Sequence, residues 1–171
     1  WTGQAHVTTL SMSHLGRRQG ADLVPRVTGD KPLPAEIVEQ IVARTDGVPL
    51  FIEELTKTVL ESGLLADGGA HYELTRPLPA MAIPATLQDS LMARLDRLGS
   101  VKEVAQIAAA IGREFSHALL TAVADRPQAE LQAALGQPVS SELAFRRGTP
   151  PEATYSFKHA FVQEAAYRSL L

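Results

Sequence analysis

Gly47-Val48-Pro49-Leu50-Phe51-Ile52-Glu53-Glu54-Leu55-Thr56-Lys57-Thr58-Val59-Leu60 is the stretch around which the rest of the chain is organised. Glycine lacks a Cβ and ends a helix readily; proline lacks an N–H and suits the first helical position, where that group would have no partner. Gly47 with Pro49 two positions on therefore marks a seam between two helices. Upstream, Pro34 starts a helix running to Arg44, with Ile37, Val38, Ile41 and Val42 on one face, and Thr45-Asp46-Gly47 stops it. Downstream, the helix opened by Pro49 carries the apolar residues Leu50, Phe51, Ile52, Leu55, Val59 and Leu60, runs to about Ser62 and stops at Gly63. Glu53 and Lys57 pair one turn apart on its exposed side. The ring of Pro49, at the head of that helix, is free to lie against a flat ligand. On spacing alone the tripeptide means only a cap and a start.

Working outward, Ala5 to Met12 alternates and is rich in β-branched residues, which predicts a short strand. A helix follows over Arg17 to Val27, short or kinked because it contains Gly20 and Pro25. Beyond Gly63, Leu64-Leu65-Ala66 and Ala70-His71-Tyr72-Glu73-Leu74 flank Asp67-Gly68-Gly69 as a small hairpin. Thr75 to Pro84 carries three prolines and reads as an extended linker. Helices resume over Thr86 to Leu98, with Gly99 as a stop, then from a Ser100 cap through Val101, Val104, Ile107, Ala108 and Ile111 to Gly112. Ser116 opens a third helix with Leu119, Leu120 and Val123. Asp125 and Pro127 precede a fourth with Leu131, Ala134 and Leu135, which Gly136 and Pro138 should cut short. Residues 143–147 and 153–157 alternate with period two around Gly148-Thr149-Pro150-Pro151, a second hairpin. Lys158 to Leu171 forms the last helix, with Phe161, Val162, Ala165, Ala166 and Leu170 inward. Helices followed by a two-stranded wing make a winged helix-turn-helix plan.

Composition narrows the possible functions. The 171 residues hold one large domain or two small ones. With 45% hydrophobic but only 5% aromatic residues, the core must be aliphatic. The 16 basic and 19 acidic residues nearly cancel, giving a net charge of -3 and no field to attract nucleic acid or an anionic membrane. There is no cysteine, which excludes disulfides and thiolate metal sites. No apolar run approaches the ~20 residues that span a bilayer, and no signal peptide is visible. The chain starts without methionine, in a strand-like stretch. It therefore reads as a piece of a longer, cytoplasmic protein.

Four segments carry a resemblance: IVARTDGVPLFIEELTKTVLESGLL (41–65), IPATLQDSLMARLDRL (83–98), KEVAQIAAAIGREF (102–115) and TYSFKHAFVQEAAY (154–167). In this order they resemble the ATPase modules of bacterial adenylate/guanylate cyclase-like signalling proteins. Those modules belong to the STAND class, whose relatives include the NB-ARC ATPases. The resemblance implies a mainly α chain: residues 1–74 are the end of an ATPase core, one strand, plus its helical lid with a small hairpin. Residues 75–84 are the linker and 85–171 a winged-helix domain. It further implies that Gly47 and Pro49 form the glycine-x-proline motif, with Pro49 packing on adenine. His159, at a strand-to-helix junction, corresponds to the histidine that reaches the β-phosphate of ADP in NB-ARC proteins; there an aspartate usually follows, and here Ala160 stands instead. The cofactor implied is ATP/ADP with magnesium in the full-length parent, none of it held tightly by this piece. The partners implied are the missing ATPase core and an output domain of the same chain, a nucleotide cyclase, with no nucleic acid and no membrane.

The residues themselves carry plainer readings alongside. His159 could simply cap its helix or stack on Tyr155. Arg17 and Arg18 follow the first strand, where ATPases of this broad kind often place nucleotide-sensing arginines; as residues they read as a basic helix start on the surface. Arg146 and Arg147 on the wing could touch DNA phosphates, but the helix with Gln128, Glu130 and Gln132 bears no cluster of cations. The other histidines (His6, His14, His71 and His117) have no metal-ligand spacing. No G-x-x-x-x-G-K-[ST] loop occurs, so nothing in these residues cradles phosphates, and no catalytic residue is assigned. The rival functions are a winged-helix DNA-binding regulator and a protein-interaction scaffold.

Overall fold

The seam at Gly47 joins two helices whose apolar faces meet the helix before them. The computed structural model describes residues 11–76 and 83–170, the side chain of Ser100 excepted. The chain divides between Thr86 and Leu87 into two units, each with its own interior. In the first, α1 (Arg17–Val27), α2 (Ala35–Thr45) and α3 (Pro49–Glu61) pack together, and β1 (Leu65–Asp67) pairs antiparallel with β2 (Tyr72–Leu74). Val24, Ile37, Ile41, Ile52, Leu55 and Val59 are buried at its centre, on helical spacings of three and four residues.

Gly20 does not weaken α1. It is buried, and a Cβ there would lie 3.3 Å from Ile52 Cδ1; the missing side chain is what lets α3 approach. Pro25 also stays inside the helix. It forgoes only its own bond to the carbonyl four residues back, and its carbonyl still accepts from Thr28 and Asp30. The strand predicted over Ala5–Met12 lies, but for Ser11 and Met12, outside the described residues, and those two adopt no regular structure. Of the 75–84 stretch, residues 77–82 lie outside. Both described ends are tied to the first unit: Thr75 N–H donates to Leu64 O, and the Arg44 guanidinium donates to Ile83 O.

The second unit contains α4 (Leu87–Arg97), a 3-10 turn over Gly99–Val101, α5 (Lys102–Ile111), β3 (Glu114–Ser116), α6 (His117–Val123), α7 (Gln128–Ser140), β4 (Ala144–Arg147), β5 (Thr154–Phe157) and α8 (Ala160–Arg168). Its sheet has the order β3-β5-β4, antiparallel throughout, with Phe115 opposite Tyr155 and Arg146 opposite Tyr155 on the other side. Helix, strand, two helices and a hairpin closing on that first strand make the winged-helix plan. The chain is thus mainly α with small antiparallel sheets, as its patterning predicts. Among the described residues, no helix is long and apolar enough to cross a membrane.

Several local expectations need correction. The sequence reading missed β3, whose three residues are defined by pairing with β5 some forty positions away. The cap position of α5 is Val101 without a side-chain bond, because the 3-10 turn runs straight into the helix; the Ser100 side chain lies outside the description. The fourth helix continues through Gly136 and Pro138 to Ser140, because Pro138 is buried in the last turn and its carbonyl accepts from Leu143 N–H. Leu119 and Val123 on α6, and Phe161 and Leu170 at α8, face outward. The last helix buries the smaller Val162, Ala165 and Ala166 against α4 and α5, and its apolar stripe is wider than that contact.

Among the described residues, Ser90, Arg94 and His117 are buried polar side chains of the second unit. Arg94 is 2% exposed, and its guanidinium donates to Ser141 O at the C-terminal end of α7, where a helix favours positive charge. His117 is 1% exposed, and neither ring nitrogen has a hydrogen-bond partner. Arg94→Ala should lower unfolding stability by about 2–3 kcal/mol, since a charged bond is lost and a carbonyl is left unpaired. His117→Leu should raise it by about 1 kcal/mol by removing unpaired polar atoms. Denaturant midpoints of the 171-residue chain measure both.

Candidate functional site

The site begins with how α2 stops. After Thr45, Asp46 takes a left-handed conformation at φ 46° and Gly47 follows at φ 69°, so the chain reverses within two residues. Val48 is extended, its N–H donates to Thr45 O at 2.9 Å, and Pro49 occupies the first position of α3, where its missing N–H costs nothing. The turn is held from outside by the segment before α1: Leu15 N–H donates to Gly47 O at 2.8 Å. A Cβ on Gly47 would stand 2.0 Å from Leu15 O, inside any permissible contact. Gly47 is thus required twice, by its dihedral angle and by the backbone lying against it. Gly47 is buried, while Pro49 is exposed at the head of α3.

Beside this clasp is a pocket of about 190 Å³ whose walls include His14, Leu15, Arg17, Asp46 and Gly47. His14 Nδ1 lies 3.5 Å from Asp46 Oδ2, both well exposed, so the pair adds little to stability. Arg17, not Arg18, is in the pocket wall, and it also borders a second hollow between α1 and α2.

His159 belongs to the second unit. It is the N-cap residue of α8 in extended conformation, and its carbonyl accepts from Val162 N–H at 3.1 Å. Its imidazole makes no cap bond. Nor does it stack on Tyr155, whose buried ring lies 5.5 Å from Phe115 and 6.2 Å from His117. Neither plain reading of this side chain is thus realised. Burial pushes the Tyr155 phenol above its usual range, against the opposing pull of the Arg146 guanidinium. Arg146 is therefore engaged with the sheet; Arg147 is exposed. The exposed face of α7, with Gln128, Glu130 and Gln132, carries no cation.

The remaining histidines stand apart. His71 Nε2 is 3.0 Å from Glu73 Oε1 on the first hairpin, His117 is buried, and His6 lies outside the described residues. Among the described residues, no three His, Asp or Glu side chains converge as metal ligands. Sequence reasoning identified Gly47 from its turn chemistry but missed the Leu15 backbone as its partner, because a carbonyl carries no sequence signal.

No protein-family model and no solved structure matches the chain. It is 31% identical over 126 residues to an uncharacterized protein of Rhizobium meliloti (strain 1021). That match spans 73% of this chain but 12% of the relative, so the chain corresponds to a small part of a much longer protein.

Two glycines with nearly equal φ test the clasp. Gly47 and Gly63 lie at 69° and 73°, but nothing stands within 4 Å of a Cβ on Gly63. Gly63→Ala should cost about 1 kcal/mol, the left-handed penalty alone. Gly47→Ala should cost roughly 3 kcal/mol or more, since Leu15 must also move. Equal denaturation midpoints for the two variants would contradict the clasp.

Proposed function

We propose that this chain is the lid and winged-helix part of a STAND-type signalling ATPase. In this reading it contributes adenine- and phosphate-sensing residues to an ATP/ADP switch that controls an attached output domain, a nucleotide cyclase. The observation that carries the reading is the Gly47 cradle: a glycine that tolerates no side chain, next to an exposed proline ring at the head of a helix. That arrangement suits a flat base lying on Pro49, held at fixed height by the Leu15 contact. The uncommitted imidazole of His159 suits donation to a phosphate oxygen. A relative several times longer supports the view that such a part operates within a larger polypeptide.

The residues fit a role in holding the base and reporting on phosphate. They do not supply the rest: the sequence contains no glycine-rich phosphate loop, and among the described residues no three His, Asp or Glu side chains cluster. In this reading catalysis belongs to the ATPase core of the parent protein, in the cytoplasm, and this part acts as the switch. For it to do so, ATP and ADP must bind two arrangements of the module unequally. A second reading, the DNA-binding regulator, has the winged-helix plan in its favour but lacks cations on α7.

In the longer protein, Pro49→Ala should weaken both nucleotides about tenfold, as loss of a stacking surface worth ~1–2 kcal/mol implies. His159→Ala should weaken ADP more than adenosine. Calorimetry with the two variants measures this, and unchanged ADP affinity in both would end the proposal. The 171-residue chain alone should bind ATP no tighter than roughly millimolar.

A further inference from the structure

We propose that, independently of the nucleotide reading, two copies of this chain pair through the outer face of α8, their α8 helices antiparallel about a twofold axis. The last helix buries Val162, Ala165 and Ala166 and leaves its larger apolar residues outside. Phe161 is 55% exposed, and Tyr167 and Leu170 are each 48% exposed. Beside them, between α4 and α8, lies a groove of about 250 Å³ with Leu87, Leu91, Phe161 and Ala165 as its apolar walls. Glu164 and Arg168, both about half exposed, also border it. Apolar surface gathered in this way on one helix marks a contact.

The charge pattern identifies the partner. The helices α4 and α8 hold Asp89, Asp96 and Glu164 against Arg94, Arg97 and Arg168, so together they carry no net charge and attract neither a polyanion nor a polycation. The face matches itself instead. Glu164 and Arg168 stand one turn apart and pair within the helix. A half-rotation centred near Ala166 lays Glu164 of each copy beside Arg168 of the other, so that one contact forms twice. Parallel helices would set like charges side by side, which fixes the direction of pairing. The same rotation leaves both grooves on one side of the helix pair, where Phe161 of each copy reaches the mouth of the other's groove. The two helices have 11 and 9 residues and are about 16 and 14 Å long. A face of that size buries less than about 1,200 Å² in total, at the low end of specific interfaces. The dimer is therefore weak and reversible, with a dissociation constant on the order of 100 µM.

Sedimentation velocity of the full 171-residue chain, from about 10 µM to about 1 mM, reads the pairing, and circular dichroism checks that each variant is folded. The unmodified chain should dimerise across this range, and Phe161→Ser should weaken pairing about tenfold. Glu164→Arg and Arg168→Glu should each leave the chain monomeric, because each sets like charges together. An equimolar mixture of those two variants should pair again, within about threefold of the unmodified chain, because opposite charges then meet across the twofold. An unmodified chain that stays monomeric at the highest concentration overturns the inference and leaves the face to another segment of the longer protein or to a different protein. Pairing that both charge variants retain, or that their mixture fails to restore, places self-association elsewhere on the molecule and overturns it equally.

Discussion

A single backbone hydrogen bond, Leu15 N–H to Gly47 O at 2.8 Å, sets the geometry of the first unit. It brings the chain entering α1 against the turn between α2 and α3, and it does so at a distance only glycine permits. The starts of α1 and α3 therefore share one anchoring point. Gly20 repeats the device a turn further along α1, where the absent side chain leaves room for Ile52 of α3 and Val42 of α2. Two glycines on one path thus fix how closely three helices converge. Interiors packed at crystal-like density transmit such constraints with little slack. The exposed proline at the head of α3 is therefore presented by a rigid support.

The second unit is held by different means. An aromatic group of Phe115, Tyr155 and Phe157 joins β3 to β5, with Phe115 and Tyr155 nearly parallel at 11°. Arg94 ties α4 to the end of α7, while Gln106 and Gln163 tie α5 to the last helix through carbonyls of Ser169 and Ala109. These polar bonds run between elements distant in sequence. They make good part of the cohesion that a core with few aromatics lacks, since each helix end they satisfy would otherwise leave carbonyls unpaired.

What was legible in the sequence was what is local. The end of α2 and the start of α3 follow from Gly47 and Pro49, whose backbone preferences hold in any context. Both hairpins follow from alternation around turns rich in glycine or proline. What was illegible depends on partners far along the chain. Residues 114–116 form a strand only because β5 lies beside them. Pro138 stays helical because its ring is buried, which overrides a propensity measured on exposed helices. Phe161 looks like a core residue until α8 is seen to bury its alanines instead. At the candidate site the same division holds: Gly47 and Pro49 announce themselves, whereas the Leu15 carbonyl and the placement of Arg17 in the pocket wall emerge only from tertiary structure.

Packing accounts for the glycine of the clasp but not for the exposed proline ring beside it. The distinction between a ligand site and a scaffold rests on groups that the fold uses incompletely. A scaffold gains little from an imidazole at a cap position that forms no cap bond. Serine or aspartate in place of His159 would stabilise α8 by about 1 kcal/mol. His159 therefore carries a cost that no side-chain bond among the described residues recovers. A bound anion would recover it, since an imidazole N–H donates to oxygen. DNA phosphates would do so too, but the helix that would enter a groove has no positive charge with which to hold them. The exposed ring of Pro49 and the unbonded imidazole of His159 are each what the proposed nucleotide reading calls for, whereas the DNA-binding rival calls for cations that α7 lacks.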